Sequence, residues 1–140
     1  MIKKKVSDFV YEELSYKIRG CAFEVYNTLG FGHKEKVYQK ALCLEFERAK
    51  IRYEQEKALP IIYDDKKIGI YRPDFVINDE ILIEIKAVPV MPKSHETQLT
   101  YYLKGTSYRL GFLINFGAPK IEIRRRVWTP SYQRTSVKNQ

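Results

Sequence analysis

The stretch RPDFVINDEILIEIKA, residues 72–87, places charged side chains within segments that are otherwise typical of buried strands. Asp74, Glu84 and Lys86 stand among valine, isoleucine and phenylalanine, the residue types that favour β-structure. An isolated charge is costly to bury, so each of these side chains needs solvent, a charged partner or a metal ion. The polar residues NDE, 78–80, predict a tight turn between two antiparallel strands.

A turn centred on Asp79 predicts the register of this hairpin. Asp74 and Glu84 each lie five residues from Asp79, so their side chains face one another with Cβ atoms about 4.5–5.5 Å apart. Lys86 shares the face of Glu84, because successive side chains in a strand alternate between the two faces of a sheet. Two carboxylates directly opposite each other destabilise a hairpin, so this pairing is a poor choice for stability alone.

The grouping of Asp74, Glu84 and Lys86 suits a hard divalent cation such as Mg²⁺ or Mn²⁺, which prefers oxygen ligands and keeps several waters. Lys86 is then placed to orient or help deprotonate a water molecule and to stabilise charge on a phosphate. These are the requirements of phosphodiester hydrolysis. The alternative interpretation is that Glu84 and Lys86 are ordinary solvated residues on an amphipathic strand, because an E-x-K pattern alone is short.

Outside this hairpin, the hydrophobic pattern predicts an α/β fold with the element order ααβββαββ. Apolar spacings of three and four residues predict helices over residues 8–29 and 34–50, and residues 59–88 predict a three-stranded antiparallel meander. A third helix over residues 94–105 and strands in YRLGFLINF and KIEIRRRVW complete the pattern. We expect a central mixed sheet, made of the meander and these further strands, with helices on both sides.

The predicted core faces of the first two helices follow from the same spacings. They comprise Val10, Leu14, Ile18, Cys21, Ala22, Val25 and Leu29 in the first helix, and Val37, Tyr38, Ala41, Leu42, Leu44 and Phe46 in the second. Gly30 and Gly32 are expected to end the first helix. Ser94 is expected to cap the start of the third helix, and Gly105 to end it.

With 140 residues, of which 44% are hydrophobic, the chain is long enough to bury a core of its own. We expect one domain over residues 1–128, followed by a polar tail over residues 129–140. No segment approaches the roughly 20 apolar residues that span a bilayer, and residues 1–10 lack the apolar centre of a secretory signal, so we expect a cytoplasmic protein without a membrane partner. Cys21 and Cys43 lack the spacing of a zinc site, and we expect small buried side chains rather than a disulfide.

The formal net charge of +8 is compatible with a polyanionic partner such as nucleic acid. Basic residues cluster at residues 3–5 and 124–126, the latter beside Trp128, where they can neutralise phosphates without reading sequence. In a strand the first and third of the arginines share one face and the middle one points to the other, so they do not form one patch. A solvated surface is the alternative, and nothing in the chain resembles a base-reading helix or a zinc finger.

Several motifs resemble those of one nuclease family. RPD, followed ten residues after its aspartate by EIK, resembles the PD-(D/E)xK signature, with Asp74, Glu84 and Lys86 on the signature positions. LGFGHKEKVYQKAL carries Glu35 and Tyr38 within the pattern G-x-x-E-x-x-Y, and HETQLTYYLK and LGFLINFGAPKIEIRRRV follow in the expected order. From these motifs, which extend over most of its length, the chain is identified as a member of the GxxExxY family of PD-(D/E)xK proteins.

This resemblance implies a restriction-endonuclease-like core and a nuclease that depends on Mg²⁺ or Mn²⁺. It implies that Asp74 and Glu84 hold the metal and that Lys86 positions or activates the water. It also implies that Glu35, at the start of the second helix, is an outer or direct metal ligand. The alternative for Glu35 is a carboxylate that is favoured there by the helix dipole alone.

The resemblance extends to the third helix, where Gln98 and Tyr102 are similar to the Q-x-x-x-Y motif of RecB-like nucleases. There the two side chains would hydrogen-bond to the site or to the nucleic-acid backbone. The alternative is a helix face that packs on the sheet. His95, one turn before Gln98, is a weaker candidate, His33 is weaker still, and Tyr38 is explained equally well as a core residue.

Three classes of function compete. The leading one is a Mg²⁺-dependent nuclease acting on DNA in preference to RNA, and the second is a nucleic-acid-binding module that keeps the fold without cleaving. A glycosidase would need two carboxyl groups across a sugar-binding cleft. Lys86 and the basic charge balance fit a phosphate substrate better than a sugar. The sequence leaves the oligomeric state open, a homodimer included.

Overall fold

The structure is a computed structural model that describes the backbone of residues 9–129 and the side chains from residue 11 onward. Its helices and strands are α1 (Phe9–Leu29), α2 (Glu35–Arg48), β1 (Tyr53–Gln55), β2 (Leu59–Tyr63), β3 (Lys66–Tyr71), β4 (Phe75–Ile77), β5 (Ile81–Lys86), α3 (Lys93–Thr106), β6 (Leu110–Asn115) and β7 (Glu122–Val127). The lysines at residues 3–5, the side chain of Val10 and nearly all of the predicted polar tail lie outside the described residues.

Five of the strands form a mixed sheet in the order β1-β4-β5-β6-β7. Strands β5 and β6 run parallel and are joined through α3, whereas the other neighbouring strands are antiparallel. A parallel pair needs a long crossover connection, and the helix provides it. The predicted α/β class, with a central mixed sheet flanked by helices and a restriction-endonuclease-like order of elements, is confirmed.

One face of the sheet is covered by α1 and α2. Ile18, Cys21, Ala22 and Val25 of α1 are buried against it, as the spacing predicts. In α2 the buried residues are Tyr38, Leu42 and Phe46. The assignment of Val37 and Leu44 to the core was wrong, because their side chains are 40% and 61% exposed. The face of α2 that is buried against the sheet is therefore narrower than the apolar face that its sequence predicts.

The opposite face of the sheet is covered by α3 and by a hairpin of β2 and β3. Leu103 of α3 is buried there with Leu59, Tyr71, Val76 and Leu82. The ends of α3 differ from the prediction. The N-cap is Pro92 rather than Ser94, without a side-chain hydrogen bond, and the helix runs past Gly105 to end at Ser107 in the left-handed conformation.

The strands before β5 also differ from the predicted meander. The hairpin of β2 and β3 forms a two-stranded sheet of its own, and the central sheet instead uses the short strand β1, which the pattern did not predict. The physical reason lies at Pro73, between β3 and β4. Proline has no N–H to continue a ladder, so the chain leaves one sheet before it joins the other.

The register of the central hairpin agrees with the prediction. Phe75 pairs with Ile83 and Ile77 with Ile81, so the turn is centred on Asp79. Both Asn78 and Asp79 have positive φ, which suits residues that tolerate the left-handed region. The same register brings Asp74, one residue before β4, opposite Glu84.

Cys21 is buried and Cys43 half-buried, and both are free thiols. Between residues 9 and 129, no helix combines the length and the apolar character that crossing a bilayer requires.

Candidate functional site

Asp74 is held at the open end of the hairpin by a backbone donor. The N–H of Ile85 donates a hydrogen bond of 2.7 Å to Oδ2 of Asp74. Ile85 itself is fully buried on the face covered by α1 and α2, so its amide is a rigid donor. The carboxyl group of Asp74 is therefore fixed by the strand that carries Glu84 and Lys86.

Glu84 is held through both of its oxygens. The phenol of Tyr71 donates a hydrogen bond of 2.6 Å to Oε2. The backbone N–H of Asp74 donates one of 3.2 Å to Oε1. The register of the hairpin places Asp74 opposite Glu84, so the two carboxyl groups lie on one face of the sheet.

The electrostatics of this pair oppose full ionisation. The pKa of Glu84 is raised to about 7 by burial, which the Tyr71 hydrogen bond opposes and the Asp74 charge reinforces. Burial also raises the pKa of Asp74, against the opposing effects of the Ile85 hydrogen bond, the Glu84 hydrogen bond and the Lys86 charge. A cation beside the pair would favour both ionised forms.

Lys86 lies on the same face as Glu84 at the end of β5, and its side chain is half-buried. Burial raises the pKa of Asp74 and that of Glu35, and the Lys86 charge opposes both rises. The pKa of His95, on α3, is lowered, first by burial and then by the Lys86 charge. The Lys86 charge therefore acts on Asp74, Glu35 and His95.

Glu35 is the first residue of α2 and is half-buried. Burial raises the pKa of its carboxyl, the Asp74 charge adds to the rise, and the Lys86 charge opposes it. The Asp74 charge therefore acts on Glu35, although the two residues lie 39 positions apart in the sequence. Within residues 9–129, no group of three or more histidine, cysteine, aspartate and glutamate side chains is arranged to hold a metal ion.

Tyr38 belongs to the core. It is fully buried, its ring stacks on Phe116 at 4.6 Å between centroids, and its phenol donates a hydrogen bond of 2.6 Å to the Gly30 carbonyl. The backbone N–H of His33 donates to the same phenol at 3.2 Å. Tyr38 therefore secures the turn that leads into Glu35.

Of the two α3 candidates, the structure brings Tyr102 toward the carboxylates through another tyrosine. The rings of Tyr102 and Tyr71 are stacked, 3.6 Å apart between centroids and 10° from parallel. Gln98 is exposed on α3. Sequence reasoning missed Tyr71, and the only signal for it is a position three residues before Asp74 in a predicted strand.

Asn115, at the end of β6, was also missed. It is fully buried and lies opposite Lys86 in the parallel register. Its Oδ1 accepts hydrogen bonds from the N–H groups of Val88 and Gly117, each 3.0 Å, and its Nδ2 donates to the Val88 carbonyl at 2.9 Å and to Glu122 at 2.8 Å. Asn115 therefore fixes the chain directly after Lys86.

Two of the three arginines of β7, Arg124 and Arg126, form ion pairs within the protein. Arg124 donates a hydrogen bond of 2.8 Å to one oxygen of Glu96 on α3, and Arg126 pairs with the other oxygen. Arg124 also contacts Glu122 at 3.2 Å. Arg125 is exposed, in keeping with the predicted alternation of faces.

Residues 12–126 match a family model described as the PD-(D/E)XK nuclease superfamily. The crystal structure of SSO0001 matches this chain with a TM-score of 0.50 and 19% sequence identity, over 99% of this chain and 76% of the other. At that identity the likeness concerns the fold alone. No curated protein matches the chain.

Proposed function

The chain belongs to the PD-(D/E)XK nuclease superfamily, and on that premise we propose that it is a nuclease that uses a divalent metal ion to hydrolyse phosphodiester bonds. The observation that carries the proposal is the pair of half-buried carboxyl groups, Asp74 and Glu84, with the Lys86 ammonium on the same face of the sheet.

The donor set fits a divalent metal ion. Asp74 and Glu84 offer oxygen ligands, and burial raises the pKa of both carboxyl groups, a rise that a cation beside them would oppose. These two residues would hold the ion, which supplies positive charge beside the phosphate and lowers the pKa of water at the site. Glu35 is proposed as an outer or direct ligand of this ion, because, besides burial, the charges of Asp74 and Lys86 shift the pKa of its carboxyl group.

The chain's own groups then have distinct tasks. The Ile85 amide and the Tyr71 phenol hold the two carboxylates in place before substrate arrives, which is the preorganisation that electrostatic catalysis needs. Lys86 orients the attacking water or helps to remove its proton, and it neutralises charge that develops on the phosphate. His95 is a further candidate for the site, because its pKa is lowered by burial and by the Lys86 charge.

The proposal has finer parts that rest on the sequence. The metal is Mg²⁺ or Mn²⁺, the substrate is DNA in preference to RNA, and the subfamily is the GxxExxY type. Gln98 and Tyr102 are assigned to the site or to the nucleic-acid backbone. We further propose one nuclease unit over residues 1–128 with a polar tail over residues 129–140, a cytoplasmic location, and a homodimer as one oligomeric state to examine.

A cleavage screen with a metal titration tests this function. The purified protein would be titrated with Mn²⁺ in a calorimeter and then incubated with single-stranded, double-stranded and branched DNA and RNA. We expect saturable Mn²⁺ binding and metal-dependent cleavage of at least one substrate. Lys86→Ala should still bind Mn²⁺ but cleave about 10²- to 10³-fold more slowly, as for other charge-stabilising groups in preorganised sites.

The matched control is Lys67→Ala, which removes an exposed lysine from β3. It should cleave at the parental rate. Binding of nucleic acid without cleavage of any substrate would replace the nuclease with the binding-module alternative. Equal rates for Lys86→Ala and the parent would remove Lys86 from the chemistry.

A further inference from the structure

Tyr71 is a polar side chain in an apolar setting. It ends β3, is 5% exposed, and lies in a cluster with Leu59, Leu82 and Leu103. A buried phenol needs a hydrogen-bond partner, because an unsatisfied O–H costs free energy in an apolar environment. The identity of that partner therefore indicates the role of Tyr71.

The partner is Glu84. The Tyr71 O–H donates to Oε2 at 2.6 Å, within the range of a hydrogen bond from a hydroxyl to a charged oxygen. Because Oε1 already accepts from the Asp74 amide at 3.2 Å, the carboxyl group is held at both oxygens and cannot rotate freely. The phenol determines which way the second oxygen points.

Tyr102 determines the orientation of the phenol in turn. Its ring lies against that of Tyr71 at 3.6 Å between centroids and nearly parallel to it. Tyr102 is on α3, whereas Tyr71 belongs to the two-stranded hairpin. The position of α3 therefore affects Glu84 indirectly. Tyr102 stacks on Tyr71, and Tyr71 donates the hydrogen bond to Glu84.

We propose that Tyr71 is a positioning residue of the site: its phenol, clamped by the Tyr102 ring, holds the Glu84 carboxylate in the orientation that binds metal. This inference rests on the proposed nuclease function. In this inference the role of Tyr102 is to hold the Tyr71 ring by stacking, which does not require direct contact with nucleic acid. Groups that orient metal ligands in this way commonly affect metal affinity and activity by about 10- to 100-fold.

The test compares Tyr71→Phe, Tyr102→Phe and Tyr102→Leu. We expect Tyr71→Phe, which keeps the ring and the fold, to weaken Mn²⁺ binding by about 10- to 100-fold in a calorimetric titration. Cleavage should show a matching fall in kcat at saturating metal, with KM for nucleic acid within about twofold of the parent, since the phenol does not touch substrate. Tyr102→Phe keeps the stack and should retain the parental Mn²⁺ affinity, whereas Tyr102→Leu should weaken Mn²⁺ binding as Tyr71→Phe does.

The matched control is Tyr63→Phe, which removes a phenol from the other end of the same hairpin, where the side chain is 71% exposed. It should leave Mn²⁺ affinity and kcat unchanged. Parental Mn²⁺ affinity and kcat in Tyr71→Phe would overturn the assignment. So would equal effects of Tyr102→Phe and Tyr102→Leu.

A metal-free measurement separates this inference from the proposed function. Tyr71→Phe, Glu84→Gln and the double variant form a cycle in urea unfolding at pH 8 with a chelator present. Non-additive shifts of the midpoint support the Tyr71 contact, and additive shifts overturn it. If the parent protein binds no Mn²⁺, the proposed metal site fails, and this cycle still decides whether Tyr71 holds Glu84.

Discussion

At the scale of the single residue, Glu84 decides how the metal-free protein responds to pH. Its pKa is raised from 4.5 to about 7 by burial and by the Asp74 charge, so folding favours the protonated form. A group of this kind contributes stability that is fully present below pH 4.5, is lost as the pH rises toward about 7, and stays lost above that value. The same carboxyl that would bind metal therefore weakens the protein without metal.

Glu84→Gln removes this pH-dependent loss, because glutamine does not ionise. Relative to the parent, its free energy of unfolding should rise by up to about 3 kcal/mol between acidic and neutral pH, since one pKa unit corresponds to about 1.36 kcal/mol. Urea unfolding with a chelator, repeated from pH 4 to pH 8, measures it. For Glu13→Gln, at an exposed position on α1, the free energy of unfolding should depend on pH as it does in the parent. Parallel curves for Glu84→Gln as well would show that Glu84 ionises normally.

At the scale of the element, the end of β6 holds the chain that follows β5. Asn115 satisfies both backbone groups of Val88 and the N–H of Gly117. At Gly117 a Cβ would lie 2.2 Å from the Val88 nitrogen, so the two segments are also in close contact there. The connection between β5 and α3 is thus locked by one side chain and one close backbone approach.

Asn115→Ala should destabilise the protein by about 2–4 kcal/mol, because it leaves several buried backbone groups without partners. Urea unfolding measures the loss, and amide hydrogen exchange should accelerate at Val88. Asn27→Ala, an exposed change on α1, should have little effect. If the Val88 amide in Asn115→Ala exchanged as slowly as in the parent, Asn115 would not be what holds this segment in place.

The contact between α3 and β7 has a different consequence. The Glu96 side chain is 13% exposed and occupies the guanidinium groups of Arg124 and Arg126. Glu96→Gln should release Arg126, leave Arg124 with Glu122 alone, and raise nucleic-acid affinity several-fold at low salt, with a steeper salt dependence. Fluorescence anisotropy of labelled DNA at increasing salt measures this. Glu13→Gln changes the net charge equally and should have a smaller effect, so equal gains would mean that only net charge matters.

At the scale of the whole molecule, metal binding and folding should be linked. A ligand that binds only the folded state stabilises it by about 2.7 kcal/mol at 100 times its Kd. Mn²⁺ should therefore raise the melting temperature by several degrees at pH 8. The gain should shrink at pH 5, because the pKa of Glu84, about 7, favours its protonated carboxyl group there.

Asp74→Asn should lose most of this gain, and Asp65→Asn should retain it. Asp65 is an exposed turn residue with positive φ, a conformation that asparagine also tolerates. Differential scanning calorimetry with and without Mn²⁺ measures both variants. An equal metal-dependent shift in the parent and in Asp74→Asn would place the ion elsewhere on the protein.

Local sequence determined the parts of this protein that depend on near neighbours. The turn at residues 78–80 and the alternation of side chains in β5 were enough to predict that Asp74 faces Glu84. The three-to-four-residue spacing predicted the buried stripe of α1. Both patterns repeat over a few residues, so they can be recognised in the sequence before any tertiary contact is known.

Only the tertiary structure decided which long-range partners these elements meet. It separated β2 and β3 from the central sheet, and it exposed Leu44. It brought Tyr71 onto Glu84 across thirteen residues, and Asn115 onto Val88 across twenty-seven. Such contacts depend on how helices and sheets pack, which is a property of the assembled molecule and leaves no period in the sequence.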